Sequence, residues 1–145
     1  MNIIADPKAS NASRMPARSG GAALRIAMVT TFYPPYNFGG DGIYVQRLAR
    51  ALVARGHHVE VIHDTDGYRA LAGEPGSARA ADDGITVHRL GSRMPKLSSL
   101  AVQQFGTPCM HAARLRELLT DRFDVINVNL PGIGQYAVRA IFNND

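Results

Sequence analysis

The sequence predicts an α/β fold, a Rossmann-like and mostly parallel sheet, on three observations. A continuous apolar run over 24–31 leads through Pro34-Pro35 to the glycine pair Gly39-Gly40. The segment that follows has helical spacing and stops at Gly56. A second apolar strand, Val59 to His63, comes directly after it. A strand, a helix and a strand within about 40 residues form a βαβ crossover, which requires parallel strands.

Taken in order, Ile26 to Thr31 lacks polar alternation, which suits a first strand covered on both faces. In the helix, Ile43, Tyr44, Leu48, Ala51, Leu52 and Arg55 read as one side and Gln46, Arg47 and Arg50 as the other. Gly56 stands where a left-handed residue ends a helix. Residues 64–84 turn polar and small, with a short helix at 70–72 broken by Gly73-Glu74-Pro75-Gly76. Ile85 to Leu90 alternates with period two, as a half-exposed strand does. Residues 91–108 read as loop with one helical stretch over 97–105, and 110–119 as a helix with Ala113, Leu115, Leu118 and Leu119 on one side. Phe123 to Val128 holds the fourth strand, centred on Asp124 to Val128. The first, second and fourth strands are expected to be parallel. Pro131-Gly132-Ile133-Gly134 opens a final helix that meets no further strand, so the doubly wound domain reads as incomplete.

Composition narrows the function classes. A chain of 145 residues allows one domain, and 46% hydrophobic with 19% charged residues excludes disorder throughout. Of the net charge of +4, Lys8, Arg14 and Arg18 against Asp6 supply half, leaving 13 basic and 11 acidic residues from Leu24 onward. No basic stripe with interleaved aromatics appears, so no nucleic-acid partner is expected. Residues 1–23, rich in small residues, Pro and Arg, have no period and read as a disordered leader before a domain over 24–145. Ile3-Ile4 falls short of the roughly 7–15 apolar residues of a signal peptide. No run approaches the about 18 residues of a membrane span. Cys109 stands alone, which excludes a disulfide framework or zinc set and makes it a buried structural thiol. A cytoplasmic location is the expectation.

Phe32-Tyr33-Pro34-Pro35, Gly39-Gly40, Val45, Leu48-Ala49, Leu52 and Arg55-Gly56-His57-His58-Val59 form one extended pattern, joined by Asp66-Gly67-Tyr68-Arg69 and Phe123-Asp124-Val125-Ile126. Together they resemble the amino-terminal half of family 4 glycosyltransferases, retaining enzymes of the GT-B architecture, over residues 24 to 140. The resemblance implies an incomplete, acceptor-side half of a GT-B fold. The intact enzyme would transfer a sugar from a nucleoside-diphosphate sugar to a carbohydrate or lipid-linked acceptor with retention, with peripheral contact at the inner membrane face. No metal or cofactor is expected. The family's second domain, with its paired glutamates, has no counterpart in these residues, so the chain alone is expected to be inactive.

Gly39, Gly40 and Gly42 are the candidates for the donor diphosphate, because glycines let backbone N–H groups and a helix start approach a phosphate. A tight strand-to-helix turn is the other reading of the same residues, and the charge of Asp41 speaks mildly against phosphate. Asn127 and Asn129 stand where the family usually shows histidines. They can hydrogen-bond an acceptor hydroxyl, but they cannot exchange a proton near neutral pH. His63 and Asp64 lie at the carboxyl end of the second strand, where open parallel sheets place ligands. His57 and His58, at its amino end, read as structural. His88 and His111 read as surface or satisfied histidines without metal spacing. No catalytic acid or base is assigned. Two alternatives stay open: an NAD(P)- or flavin-binding domain, from the G-x-G-x-x-A pattern Gly132-Ile133-Gly134-Gln135-Tyr136-Ala137, and a non-catalytic nucleotide- or phosphosugar-binding domain.

Overall fold

A computed structural model describes residues 21–76, 84–105, 110–120 and 122–129. Residues 1–20 of the leader, Cys109, the 132–137 glycine pattern and the final helix lie outside the described residues.

The elements run β1 (Arg25–Thr30), α1 (Gly40–Val53), β2 (His58–Asp64), α2 (Asp66–Ala72), β3 (Ile85–Leu90), α3 (Pro95–Phe105), α4 (Ala112–Leu119) and β4 (Val125–Asn129). All four strands form one parallel sheet in the order β3-β2-β1-β4. The third strand, for which sequence gave no direction, is therefore parallel as well. The strand limits differ by one residue from the sequence expectation at β1, β2 and β4, and Phe123 precedes β4 rather than entering it. The short helix expected at 70–72 begins at Asp66.

β1 sits between two partners, and Ile26 to Thr30 are all buried, as the unbroken apolar run requires. Its side chains alternate between two cores. Ile26, Met28, Val59, Val61 and Ile85 pack with Val45 and Ala49 of α1 on one face. Ala27, Val29, Ile62 and Leu90 pack with Leu115, Leu118 and Leu119 of α4 on the other. Helices on both faces cover the apolar middle of the parallel sheet, while the edge strand β4 stays half-buried.

The buried face of α1 differs from the one read in the sequence. Gly42, Val45, Gln46 and Ala49 face the sheet, whereas Ile43 and Tyr44 are 37% and 60% exposed. Val45 and Ala49 pack on the strands and Gly42 lies against the 32–37 loop, while the larger apolar residues at the helix start point outward. Gly56 ends the helix as expected, with φ of 88°. Its N–H bonds the Val53 carbonyl at 2.9 Å and that of His57 bonds Leu52 at 3.2 Å, which satisfies carbonyls of the last turn. His57 then accepts the Leu24 N–H on Nδ1 at 3.2 Å and fastens the helix exit to the start of β1. That agrees with its structural reading.

Candidate functional site

Register defines a polar row at the carboxyl ends of the strands. Thr30 of β1 pairs with His63 of β2 and with Asn129 of β4, and His63 pairs with Arg89 of β3. Paired residues in a parallel sheet share a face, so Arg89, His63, Thr30 and Asn129 form one rung on the α1 side. The rung before it, Val87, Val61, Met28 and Asn127, is apolar across its first three strands. Side chains therefore change from core to polar within two residues, just where β1 leaves the sheet. The strand order also reverses at β1, since β2 and β3 lie to one side and β4 to the other. The crevice at such a switch point is where open α/β sheets bind ligands.

Beyond β1 the chain folds back on itself. The Tyr33 N–H bonds the Tyr36 carbonyl at 3.2 Å and the Asn37 N–H that of Pro35 at 3.0 Å, with a cis bond between Pro34 and Pro35. The Asn37 amide donates to the Gly39 carbonyl at 2.6 Å and draws the loop onto the start of α1. A Cβ on Gly42 would stand 2.6 Å from the Asn37 Oδ1 and 3.0 Å from the Phe32 carbonyl, so this glycine is required by close approach. Gly39 and Gly40 are different. Each is exposed, a Cβ on either would meet nothing within 4 Å, and neither has positive φ. A tight turn accounts for Gly42 alone; the open pair has no packing reason to be glycine. The N-cap is Gly39, which has no side chain to cap α1, so among the described residues the first-turn N–H groups have no side-chain cap. Asp41, in the first turn of α1, is exposed.

His63 is completely buried, and among the described residues neither ring nitrogen has a hydrogen-bond partner. Its pKa is lowered to about 4 by burial first and by the nearby charge of Arg89 second; the Asp64 main chain, beyond hydrogen-bonding geometry, opposes the shift. The ring is therefore neutral at pH 7. It lies under Tyr33 and Tyr36, with ring centroids 5.7 and 5.8 Å away. Asn129 and Asn127 point to one side of β4 and bond each other at 2.9 Å, Asn129 donating.

Asp64 faces away from this rung, toward α4. Its Oδ1 accepts the Asp66 N–H at 2.8 Å and lies 3.7 Å from the His111 Nε2. Asp66, fully buried, takes the Ser92 N–H on both carboxylate oxygens at 2.9 and 3.1 Å and pairs with His111 at 3.0 Å. Burial raises the Asp64 pKa. For Asp66 burial also acts upward, but the Ser92, Ser98 and His111 hydrogen bonds outweigh it and the pKa is lowered. Ligand atoms of Asp64, Asp66 and His111 lie within 4.8 Å of one another, a spacing that can hold a cation. The carboxylates are nevertheless engaged by donors of the chain itself, with Arg69 at 4.0 Å from Asp66. This cluster ties β2, α2, the β3–α3 loop and the start of α4 together. His111, read as surface or satisfied, belongs to the satisfied kind. Asp64, read with His63 as a cleft residue, stands on the opposite face of the sheet. His88 pairs with Glu60 at 2.6 Å.

Sequence reasoning passed over one group. Phe32, Tyr36, Phe38 and Tyr68 gather beside the glycine loop, Phe38 stacked on Tyr68 at 4.5 Å and 23°. Four aromatics within seven residues, 32–38, were its visible signal.

The glycosyl transferase 4-like domain family matches residues 39–142, more than two thirds of the chain. The chain belongs to that family. Comparison with curated proteins gives no match. The match takes in the glycine loop, the His63 strand end and β4, so this glycosyltransferase domain carries all the expected site residues within the matched segment.

The two kinds of glycine in the loop separate experimentally. Gly42→Ala is expected to lower folding stability by about 1–3 kcal/mol, through displacement of Asn37 and overpacking against Phe32. Gly40→Ala, at an open helical position, is expected to be neutral or slightly stabilising, by up to about 1 kcal/mol. Urea midpoints of the two variants check this. Equal destabilisation would contradict the assigned packing.

Proposed function

We propose that this glycosyltransferase domain is the acceptor-side half of a retaining GT-B enzyme. That enzyme moves a sugar from a nucleoside-diphosphate sugar to a carbohydrate or lipid-linked acceptor. The observation that carries the reading is the switch-point crevice, where an uncapped helix start behind two open glycines borders the rung Arg89, His63, Thr30 and Asn129. Backbone N–H groups of Gly39, Gly40 and Gly42 receive the donor diphosphate, aided by the positive end of α1. Asn129 and Asn127 receive acceptor hydroxyls, and His63, with no exposed surface, meets the acceptor only through a bridging water.

The chemistry available to these groups is orientation and charge stabilisation. Asparagine amides transfer no proton, and His63, held near a pKa of 4, is a weak base buried under two tyrosines. The domain aligns the acceptor hydroxyl with the anomeric carbon and holds the departing diphosphate, contributions of the positioning and electrostatic kind. No metal or further cofactor takes part in this reading. Among the described residues no helix is long and apolar enough to cross a membrane. A cytoplasmic location with peripheral contact at the inner membrane face, through exposed Arg47 and Arg50 on α1, belongs to the same proposal.

Uridine and guanosine diphosphate, titrated into the chain and followed by amide shifts, test the assignment. The expected response is at the amides of Gly39, Gly40, Asp41 and Gly42 and is abolished in Gly40→Val, whose Cβ meets nothing and whose melting temperature checks that it is folded. A response confined to other segments, or one unchanged in Gly40→Val, would sink the diphosphate assignment. Calorimetry with the corresponding sugar nucleotides should give dissociation constants weaker than about 10 µM, roughly 7 kcal/mol of binding. Tighter binding would mean that these residues carry the donor site themselves.

A further inference from the structure

We propose that the aromatic cluster of Tyr36, Phe38 and Tyr68 is a stacking platform for a sugar ring, so that the acceptor unit seated beside the glycine loop is a carbohydrate rather than an apolar tail. The inference rests on the glycosyltransferase reading above and commits it to one acceptor chemistry.

The rings form a continuous series from the core to the surface. His63 and Tyr36 lie 5.8 Å apart, Tyr36 meets Tyr68 edge-on at 5.8 Å, and Tyr68 stacks on Phe38 at 4.5 Å. Phe32 fixes Phe38 from the side at 5.5 Å and 79°. Held in this way, Phe38 is still 53% exposed, and it immediately precedes Gly39 and Gly40. An aromatic ring left half in water next to an open backbone loop has surface available to a ligand. Its π-face carries partial negative charge and attracts the weakly positive C–H groups that project from one face of a pyranose.

An independent observation lies at the base of the series. His63 is fully buried with two ring nitrogens that have no partner among the described residues, while the large majority of buried polar side chains are hydrogen-bonded. It is neutral at pH 7, so one nitrogen donates and the other accepts, a match for a hydroxyl that does both. Because the ring has no exposed surface, a buried water that bridges to a sugar hydroxyl supplies the missing partner. Two tyrosines in the series add polar groups around an apolar surface, which suits a ring with hydroxyl edges better than an acyl chain. Apolar face contact with a few convergent polar groups is the usual composition of a small-ligand site.

Saturation-transfer NMR on the 145-residue chain tests the proposal, with methyl α-glucopyranoside, methyl α-galactopyranoside and n-octyl β-glucopyranoside below its micelle concentration as probes. Transfer from protein aromatic protons is expected on the C–H protons of one face of the sugar ring. It should fall about fivefold in Phe38→Ala and in Tyr68→Ala, as loss of one aromatic stacking contact predicts, and persist in Phe38→Tyr. The ¹⁵N resonances of the His63 ring should move on addition of a methyl glycoside in the parent chain and stay fixed in Phe38→Ala. Melting temperatures confirm that each variant is folded. Stronger transfer to the octyl chain than to the ring would overturn the proposal in favour of an apolar-tail surface. Transfer unchanged in both alanine variants but lost in Asn129→Ala would place the sugar elsewhere, overturning the platform while leaving the acceptor-side reading standing. Absence of transfer from all three probes would overturn the platform too. The nucleoside diphosphate response at Gly39 to Gly42 judges the wider reading separately.

Discussion

Asp66→Ala is expected to lower folding stability by about 3 kcal/mol or more, a large part of the total margin of a domain this size. The side chain is fully buried and accepts the Ser92 N–H on both oxygens as well as the His111 ring at 3.0 Å. Its removal leaves the Ser92 N–H without that acceptor, at about 1–3 kcal/mol. It also leaves a buried imidazole with only longer contacts, the Ser98 hydroxyl at 3.5 Å and Asp64 at 3.7 Å. Urea unfolding of Asp66→Ala, His111→Ala and the double variant measures the coupling. The double variant should be far less damaged than the sum of the singles, because each single strands a partner. A loss below about 1 kcal/mol for Asp66→Ala would show that the cluster behaves as an exposed ion pair.

The second large effect is a pH dependence owed to His63. Its folded pKa of about 4 lies below the ordinary 6.5, so between those values the unfolded chain binds more protons than the folded one. The stability contribution is fully present above pH 6.5 and is lost as pH falls toward 4. The size of the shift corresponds to on the order of 3 kcal/mol. Asp64, with its pKa raised, acts in the opposite direction over its own titration, and Asp66, with its pKa lowered, loses stability only at lower pH. The difference between the parent and His63→Leu isolates the histidine. His63→Leu is expected to unfold with a shallower pH dependence between 6.5 and 4, and to be the more stable of the two at the acid end. Parallel curves for the two proteins would mean that the ring is hydrated or partnered in solution.

The crossover unit was legible in the sequence because its signals are local. The unbroken apolar run of β1 can only be a strand with both faces covered, and Gly56 is required where α1 ends with φ of 88°. The family pattern from Phe32 to Val59 is likewise a string of neighbours. Faces were harder to read. The apolar residues of α1 mark its buried side only in part: Val45, Leu48, Ala49 and Leu52 pack on the sheet, but Ile43 and Tyr44 are left outside.

Strand register, which no local pattern encodes, decided the site. His63 and Asn129 are 66 positions apart in the chain, yet both flank Thr30 on one rung, whereas Asp64, next to His63, is turned to the far face by the alternation of the strand. His111 meets Asp66 across 45 positions by tertiary packing of the start of α4 against the start of α2. The sequence by itself determined the parallel α/β class, the glycine loop at the start of α1 and the family to which the chain belongs. Only the tertiary structure decided which polar residues share the crevice, which glycine is there for packing, and that a buried histidine lies beneath a series of aromatic rings. Element type follows from contacts within a few residues, but a site is assembled by hydrogen bonds and packing between segments whose separation in sequence carries no record of their pairing.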